Sequence, residues 1–517
     1  MHISRVLLVL VLPISQALDC LTVDTTSGLV QGSIDSISPN VAHFLGVPYA
    51  EQPVGARRWL PSTPAVRQHK VVIDATQFGP ACPQLENNRS TLWSVDAPQF
   101  GIIPSDYVGE DCLSVNIWAP WKKKRSKGLL PVIAWIHGGS FQTGGASVPY
   151  QNPSRWVERT GRHIVVGINY RLNIFGSPNA AGLKHDEQNL GLLDQRLAVE
   201  WIRDNIVRFG GDASRITLWG HSAGAVSVDS YSFAYPDDPI IAALIMSSGT
   251  AHSSIPFDTP DFTVVAEKFG CQDTNAAAEI DCLRNVKFTE IIAFLQARMG
   301  NETYPPLPFA PIVDNRTVFS NHTARALSGD FIRRPAMIGT TVNEFAAFLP
   351  YNRSFGPDQG VADYGTLGVF LCPSVVTTHE RYAGGNATTF RYLYGGNFSN
   401  IAPQWWEGAY HEADMPLVFG THSIARSEST SFQVEVSEQM QDYWLAFVED
   451  PINGLPRLGW EGYSGKAGGS SMLIGSENEV TQLIADSELE KPCDGLVPNG
   501  RPKPPASCRK KSHVVVP

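Results

Sequence analysis

Residues 215–225 read Arg215-Ile216-Thr217-Leu218-Trp219-Gly220-His221-Ser222-Ala223-Gly224-Ala225. The apolar run from Ile216 to Trp219 has the length and composition of a buried strand, and it leads directly into the pattern G-x-S-x-G. A serine raised on a tight strand-to-helix turn needs small residues on both sides, because the backbone folds back closely on itself there. The following helix would direct its N-terminal amides at whatever is bound to the serine. The stretch therefore predicts Ser222 as a nucleophile.

Apolar runs on either side of this stretch predict the rest of the fold. Strands are predicted at Leu21 to Val30, Val41 to Val47, Pro131 to Ile136, His163 to Arg171, Ile240 to Met246 and Ala336 to Gly339. Apolar residues at helical spacing predict a helix from Gln188 to Phe209, which Gly210-Gly211-Asp212 ends. This alternation implies an α/β fold, with a large, mostly parallel sheet and helices on both faces.

The composition restricts the class of protein. The chain has 517 residues, of which 43% are hydrophobic and 17% charged, as in a globular protein with a large core. Its formal net charge of −10 argues against a nucleic-acid partner, which would favour a basic surface. The basic run Lys122-Lys123-Lys124-Arg125 is interpreted as a solvated loop. Because no low-complexity linker occurs, residues 18–517 are predicted to form a single domain, with a loosely ordered tail from about residue 497.

The N-terminus resembles a secretory leader. A charged start is followed by the apolar run Val6 to Ile14 and by the small-x-small site Ser15-Gln16-Ala17, so residues 1–17 are predicted to be a signal peptide. This run is too short to span a membrane, and no later segment is expected to do so. N-glycosylation sequons fit a secreted glycoprotein and lie at Asn88, Asn301, Asn315, Asn321, Asn352, Asn386 and Asn397.

The cysteines also indicate a secreted protein. All eight follow the predicted cleavage point, at Cys20, Cys82, Cys112, Cys271, Cys282, Cys372, Cys493 and Cys508. An even number in an oxidising compartment indicates disulfides. No Cys-x-x-Cys pattern occurs, which argues against the usual zinc and redox sites, and no metal is predicted.

A serine nucleophile needs a histidine base that a carboxylate orients. In α/β-hydrolases the acid and then the histidine follow the serine in the chain. Glu344 lies just past the predicted strand at Ala336 to Gly339, whose end would reach the site, although a solvated loop glutamate would look the same. It is the predicted acid.

The predicted base is His411. It precedes the apolar run Met415 to Phe419, and a loop histidine in front of a packed run could reach a site without being buried. His422 is the alternative. His379 lies among polar residues and His513 lies in the basic tail, so neither is favoured.

The anionic intermediate of acyl transfer needs preorganised amide donors. His137-Gly138-Gly139-Ser140 follows a predicted strand and resembles the oxyanion loop of lipases and esterases, although two glycines alone could form a simple turn. The amide of Ala223, directly after the nucleophile, would supply a further donor.

Several motifs together resemble one family. In order along the chain they are Gly46 to Gly55, Glu110-Asp111-Cys112-Leu113, His137 to Phe141, Asn169-Tyr170-Arg171, Gly191-Leu192-Leu193-Asp194-Gln195-Arg196, Phe209-Gly210-Gly211-Asp212, Gly220 to Ala225 and the spacing from His411 to Phe419-Gly420. On these motifs the chain is similar to the type-B carboxylesterase/lipase family, the cholinesterase-like α/β-hydrolases, over nearly all its mature length. The resemblance implies the α/β-hydrolase fold and no cofactor.

The resemblance also implies roles for individual residues. The triad would be Ser222, Glu344 and His411, with oxyanion amides from Gly139, Ser140 and Ala223 and with Ser248 supporting the acid. It implies the disulfides Cys82–Cys112 and Cys271–Cys282 and the buried ion pairs Arg58–Glu110 and Arg171–Asp194. The four remaining cysteines allow three pairings or free thiols, and we favour Cys493–Cys508 with Cys20–Cys372.

Three departures from the family argue against a cholinesterase. His221 stands before the nucleophile where cholinesterases and many relatives have glutamate, which weakens any preference for cationic substrates. Ser140 replaces the third glycine of the oxyanion loop and makes that loop bulkier. The aromatic residues Trp93, Phe100 and Tyr107 do not fall where cholinesterases place their choline-binding tryptophan.

The sequence thus predicts a secreted serine carboxylic-ester hydrolase that acts on a small neutral ester through an acyl-enzyme. One alternative is a lipase with the Cys82–Cys112 loop as its lid, and another is an esterase of a secondary-metabolite pathway. A third is a catalytically silent adhesion protein of the same fold. Such proteins lose the serine or its partners, whereas this chain retains all three. The natural ester and the oligomeric state are left open.

Overall fold

The fold is described from a computed structural model. It describes residues 21–86, 90–100, 103, 107–121, 128–253, 262–299, 306–465 and 468–495. The predicted signal peptide, the basic run at residues 122–125 and the predicted tail from residue 497 lie outside these residues, as do Cys20, Cys508, Asn88 and Asn301.

The strands form one large and one small sheet. They are β1 (Thr22–Thr25), β2 (Gly28–Gln31), β3 (Ser33–Ile34), β4 (Val41–Pro48), β5 (Gln68–Asp74), β6 (Ser114–Pro120), β7 (Leu130–Ile136), β8 (Ile164–Ile168), β9 (Gly211–His221), β10 (Ala243–Ser247), β11 (Ala336–Thr341), β12 (Thr389–Tyr394), β13 (Ser470–Ile474) and β14 (Thr481–Ala485). The large sheet has 11 strands in the order β14-β13-β12-β11-β10-β9-β7-β8-β6-β4-β3. Neighbours from β8 to β13 are parallel, and the outer strands pair antiparallel. Strands β1, β2 and β5 form the small sheet.

The helices of the described residues alternate with many of these strands along the chain. They are α1 (Leu92–Val95), α2 (Ser154–Thr160), α3 (Asn173–Gly176), α4 (Leu190–Asn205), α5 (Ala223–Ala234), α6 (Thr263–Lys268), α7 (Ala276–Leu283), α8 (Phe288–Met299), α9 (His322–Leu327), α10 (Gln359–Gly365), α11 (Cys372–Gly385), α12 (Met415–Phe419), α13 (Ser431–Glu449) and α14 (Asp486–Glu490). The predicted helix from Gln188 to Phe209 is confirmed as α4 followed by a 3-10 turn, Ile206–Phe209.

The large sheet is buried on both faces. In β7, Ile133 and Trp135 belong to the core on one side, whereas Val132, Ala134 and Ile136 belong to the core on the other. Successive side chains of a strand point to opposite faces, so a strand that reads as a continuous apolar run must be covered twice. This confirms the prediction of a mostly parallel sheet with helices on both faces.

The N-terminal prediction needs correction. Leu21 to Val30 was expected to be one strand, but it forms the hairpin of β1 and β2, which pair antiparallel. The chain turns at Thr26 and Ser27, and β2 then begins at Gly28, whose φ of 133° is a conformation that only glycine adopts readily. A Cβ there would also lie 2.8 Å from the carbonyl oxygen of Gln68 on β5. Strand β9 is longer than predicted. It begins at Gly211, whereas the predicted apolar run begins at Ile216.

Among the described residues, one helical segment is long and apolar enough to cross a membrane by length and composition alone. It runs from Gln359 to Gly385, and 56% of its most apolar window is buried inside the protein. Cys372 in this segment forms a disulfide, and Phe370 packs 4.8 Å from the ring of His411. The segment is therefore a packed helix of the fold.

Three disulfides lie within the described part of the chain. Cys82–Cys112 and Cys271–Cys282 agree with the expected pairings. The third joins Cys372 to Cys493, so the favoured pairs Cys493–Cys508 and Cys20–Cys372 are wrong. The two cysteines are 121 residues apart in the chain and are brought together by the docking of the C-terminal segment on α11. Closing so long a loop restricts the unfolded chain strongly.

Both expected ion pairs are present. Arg171 donates to both carboxylate oxygens of Asp194, at 2.8 and 2.7 Å, and both side chains are buried. Arg58 donates to both oxygens of Glu110, at 2.5 and 2.6 Å. The Arg171–Asp194 pair joins the start of α4 to the loop after β8, and these elements flank the sheet edge that carries the site.

Asp194→Asn is expected to lower the free energy of unfolding by about 3–5 kcal/mol, because it leaves the Arg171 guanidinium buried without its countercharge. Glu110→Gln should cost less, since Glu110 is 12% exposed. Asp204→Asn is the control, because its partner Arg203 and Asp204 itself are both largely exposed. Chemical denaturation measures the three values. Equal stability of Asp194→Asn and the control would contradict a structural role for the buried pair.

Candidate active site

The predicted site residues meet at one edge of the sheet. Ser222 follows β9 and the loop beginning at His137 follows β7. Ser248 follows β10 and Glu344 follows β11, three residues after its last strand residue. Parallel strands end at a common edge, so residues far apart in the chain converge there. His411 reaches this edge from the loop between β12 and α12.

Ser222 stands on a sharp turn between β9 and α5. Its φ of 56° and ψ of −123° are unusual for a residue with a side chain. The turn is held by hydrogen bonds from the Ser222 amide to the carbonyl of Ser247 and from the Val226 amide to the carbonyl of Ser222, each 2.9 Å. A Cβ on Gly220 would lie 2.1 Å from the carbonyl oxygen of Gly224. The close approach predicted from the small residues is therefore present.

Glu344 and His411 form a direct buried contact. Nδ1 of His411 lies 2.5 Å from Oε2 of Glu344, and the two side chains are 3% and 0% exposed. Nε2 of His411 makes no hydrogen bond to any described residue. The carboxylate thus fixes one ring nitrogen and leaves the other to accept a proton. His411 was expected to reach the site without being buried, and that part of the prediction is wrong.

The fold holds the Glu344 carboxylate through its second oxygen. The amide of Thr341 donates to Oε1 at 2.8 Å. Burial raises the pKa of Glu344, while the Ser248 hydroxyl and the Thr341 amide lower it. Ser248, the residue expected to support the acid, is fully buried. The Thr341 contact was not predicted, since a backbone donor leaves no signal in the sequence.

Aromatic rings surround the imidazole of His411. Phe370, Phe348 and Trp93 have ring centroids 4.8, 5.0 and 6.1 Å from it. This burial lowers the pKa of His411 below its ordinary value, so the ring is neutral and able to act as a base at neutral pH. Trp93 was noted only as absent from the choline-binding position, and the structure places it near His411, the predicted base.

The predicted oxyanion loop follows β7 and has an unusual backbone. Gly139, Ser140 and Phe141 have φ values of 110°, 55° and 60°, so the chain turns sharply there. The amides of Gly139, Ser140 and Ala223 donate no hydrogen bond to another described residue. A Cβ on Gly138 would lie 3.0 Å from Cβ of Ser222, so the loop passes beside the nucleophile.

Glu412 is a site residue that the sequence analysis missed. Its carboxylate accepts a hydrogen bond from the Tyr150 hydroxyl, and its Oε1 lies 3.8 Å from Nδ1 of His221. His221 was expected to remove a carboxylate from beside the nucleophile. Residue 221 itself carries no carboxylate, but the structure places the Glu412 carboxyl beside the His221 ring. The only available signal was its position directly after His411.

The other histidines considered from sequence lie elsewhere. Nδ1 of His422 bonds the Ser429 hydroxyl at 2.6 Å, and His379 pairs with Glu490 at 2.9 Å on the surface. His513 is outside the described residues. Within the described ranges, no group of three or more histidine, cysteine, aspartate or glutamate side chains is arranged to hold a metal ion.

Comparison with known proteins identifies close relatives. The sequence model of the carboxylesterase family matches residues 19–363 and 357–490. The chain is 40% identical over 505 residues to "Secreted lipase 5" of Gibberella zeae (strain ATCC MYA-4620 / CBS 123657 / FGSC 9075 / NRRL 31084 / PH-1), covering 92% of this chain and 94% of that protein. It is 40% identical over 493 residues to "Chlorogenic acid esterase" of Aspergillus niger, with the same coverage of both chains. It is 28% identical over 506 residues to "Acetylcholinesterase" of Bungarus fasciatus, covering 86% and 81%.

Proposed function

The chain belongs to the carboxylesterase family and is a carboxylic ester hydrolase, and we propose that it acts through Ser222, His411 and Glu344. The observation that carries this proposal is the 2.5 Å contact between Glu344 and His411 at the sheet edge where Ser222 stands. The contact leaves Nε2 of His411 without a partner among the described residues. A neutral base of this kind is what a serine nucleophile requires.

The geometry supports a two-step reaction. Nε2 of His411 takes the proton of the Ser222 hydroxyl as its oxygen attacks the ester carbonyl carbon. The negative charge that develops on the carbonyl oxygen is stabilised by the amides of Gly139, Ser140 and Ala223. Collapse of this intermediate breaks the ester bond, and His411 gives its proton to the departing alcohol. Water then attacks the acyl-enzyme with His411 again as base, which releases the acid and restores Ser222.

The substrate is a small neutral ester. Burial and the nearby carboxyls of Asp414 and Glu344 raise the pKa of Glu412 to about 8, so this carboxyl is mostly uncharged at pH 7 and offers a cation little attraction. We expect 3,3-dimethylbutyl acetate to be hydrolysed at least as efficiently as acetylcholine, which has the same shape and a positive charge. The comparison of kcat/KM for this matched pair at pH 7 checks the prediction. A strong preference for the choline ester would contradict it.

A lipase is the second candidate. One relative is named a secreted lipase. Trp93, in the described part of the loop closed by Cys82–Cys112, packs at 4.9 Å against Phe348 and 6.1 Å from His411, so this part of the loop lies beside the proposed base. Initial rates on esters of increasing acyl length, below and above their solubility limits, separate the two functions. An esterase should show no increase in rate when an emulsion forms, whereas a lipase should.

Secretion is supported by three features. Residues 1–17 have the pattern of a signal peptide, and three disulfides are present in the described residues. Five of the seven sequon asparagines are described, and all are exposed, as glycosylation requires; they are Asn315, Asn321, Asn352, Asn386 and Asn397. A shift in mass of the secreted protein on treatment with an N-glycosidase tests both the compartment and the modification.

A further inference from the structure

Glu412 has a backbone conformation that favours glycine. Its φ is 83°, and a residue with a side chain is uncommon in this region. Such a conformation costs of order 1–3 kcal/mol and persists where the surrounding structure requires it, often at functional sites. Glu412 is the residue directly after His411. The strain at this position suggests that its side chain serves the site.

The carboxyl group of Glu412 is held in a fixed place. The hydroxyl of Tyr150, which is fully buried, donates to Oε1, and Gln151 in turn donates to the Tyr150 oxygen at 2.8 Å. The Glu412 side chain is 14% exposed. A carboxyl fixed in this way presents its charge, when ionised, to fixed neighbours on the side of the active site. One of them is His221, whose Nδ1 lies 3.8 Å from Oε1.

His221 connects Glu412 to the proposed machinery. Its ring centroid lies 4.5 Å from that of His411, and its Nδ1 lies 3.8 Å from Oε1 of Glu412. The loop after β7 also lies close to this ring, since a Cβ on Gly138 would lie 3.2 Å from Nδ1. The ring is 1% exposed, and neither nitrogen has a hydrogen-bond partner within the described part of the chain. Burying two unpaired polar atoms is costly, so their retention needs a reason.

We propose that Glu412 is a positioning residue that acts through His221 to stabilise the positive charge that His411 carries in the transition state. The proposal rests on the proposed function, because it requires His411 to be the base. A protonated His221 would repel the His411 imidazolium at 4.5 Å, so His221 must stay neutral. The Glu412 carboxylate attracts an N–H at Nδ1 and so selects the neutral tautomer with its proton on that nitrogen. The dipole of His221, ordered in this way by the carboxylate, favours a cation on His411.

The charge of Glu412 depends on pH. The titratable groups around it are Tyr150, Tyr410, His221, His411, Glu344 and Asp414. Burial and the like charges of Asp414 and Glu344 raise its pKa to about 8, while the hydroxyl of Tyr150 and the indole of Trp93 lower it. The carboxylate is therefore formed as the pH rises through about 8. The stabilisation that it gives His411 is absent below that pH and complete above it.

The test compares wild type with Glu412→Gln, which keeps the shape and can still accept from Tyr150 but carries no charge. The ratio of their kcat values should be below about 2 at pH 6 and rise to about tenfold at pH 9. KM should change by less than about twofold, since the effect belongs to the transition state. The matched control is Glu407→Gln. Glu407 is fully buried with a pKa also raised to about 8 by burial, and it contacts neither His221 nor His411. The ratio of the wild-type kcat to the kcat of Glu407→Gln should not change between pH 6 and pH 9.

Two further variants complete the test. In a His221→Gln background, adding Glu412→Gln should change kcat by less than about twofold at any pH, because the path of coupling is gone. Glu412→Gly suits the φ of 83°, so it should fold even if Glu412→Gln does not, and it should show the same pH-dependent loss. The proposal is overturned if the ratio of wild-type to variant kcat is independent of pH for both Glu412 variants. It is also overturned if adding Glu412→Gln in the His221→Gln background lowers kcat at pH 9 as much as it does in wild type. Organophosphonate labelling of wild-type Ser222 separates these outcomes from failure of the proposed function, which would leave Ser222 unlabelled.

Discussion

Ser222→Ala is expected to reduce ester hydrolysis by about 10⁵- to 10⁶-fold in kcat, which is the size of effect seen when a nucleophile that works as a unit with its base is removed. Ser222 alone occupies the turn between β9 and α5, with a φ of 56° that raises its side chain above the sheet edge. The residual rate would come from the oxyanion amides and from substrate binding.

The measurement is hydrolysis of an activated aryl ester together with covalent labelling by an organophosphonate. Ser214→Ala is the matched control, because Ser214 is exposed near the opposite end of the same strand. Its activity and labelling should equal those of wild type. Thermal melts should show both variants folded, since alanine at position 222 removes only one hydroxyl. Labelling that persisted in Ser222→Ala would disprove the assignment of the nucleophile.

The second large effect is expected at the base and the acid. His411→Ala should lower kcat by about 10⁴- to 10⁶-fold, because the proton of Ser222 then has no acceptor. Glu344→Gln should cost less, about 10²- to 10⁴-fold, since the acid orients the imidazole and does not take the proton. The structure gives the reason for the order of the two effects. Glu344 contacts only Nδ1 of His411, while the reacting nitrogen is Nε2.

His422→Ala is the control for this pair. His422 bonds Ser429 and contacts neither Glu344 nor His411 within the described residues, so its loss should leave kcat within about twofold. Single-turnover measurements separate loss of acylation from loss of deacylation, and both should slow in His411→Ala because the histidine serves both steps. If His422→Ala were the inactive variant and His411→Ala the active one, the proposed base would be wrong.

Much of the sheet was predictable because its strands are buried on both faces. Strands β7, β8, β10 and β11 appear in the sequence as short, nearly continuous apolar runs, and the structure contains all four. The hairpin of β1 and β2 was merged into one strand, since the turn at Thr26 and Ser27 carries neither glycine nor proline to mark it in the sequence. Strand order is a property of pairing, and the apolar pattern of a strand does not identify its neighbours.

The candidate site likewise has a part that the local sequence determines and a part that depends on tertiary contacts. The turn at Ser222 is local, because Gly220 and Gly224 within two residues of the serine already require the close backbone approach. Glu344 and His411 are 67 residues apart and were selected by chain order and by family resemblance, and the structure brings them into contact. The geometry around them was not predictable. The Thr341 amide and the rings of Phe348 and Phe370 carry no motif.

By itself the sequence determined the nucleophile turn, the parallel sheet that ends at it, the two shorter disulfides through resemblance, and the enzyme class. These features depend on neighbouring residues or on motifs kept in order along the chain. Only the tertiary structure decided that Cys372 pairs with Cys493 and that Glu412 lies beside His221. The partners in these contacts are 121 and 191 residues apart, as their numbers show. A contact at that separation depends on how β9, β12 and the C-terminal segment pack, and hydrophobic burial drives that packing without leaving a pairwise signal in one sequence.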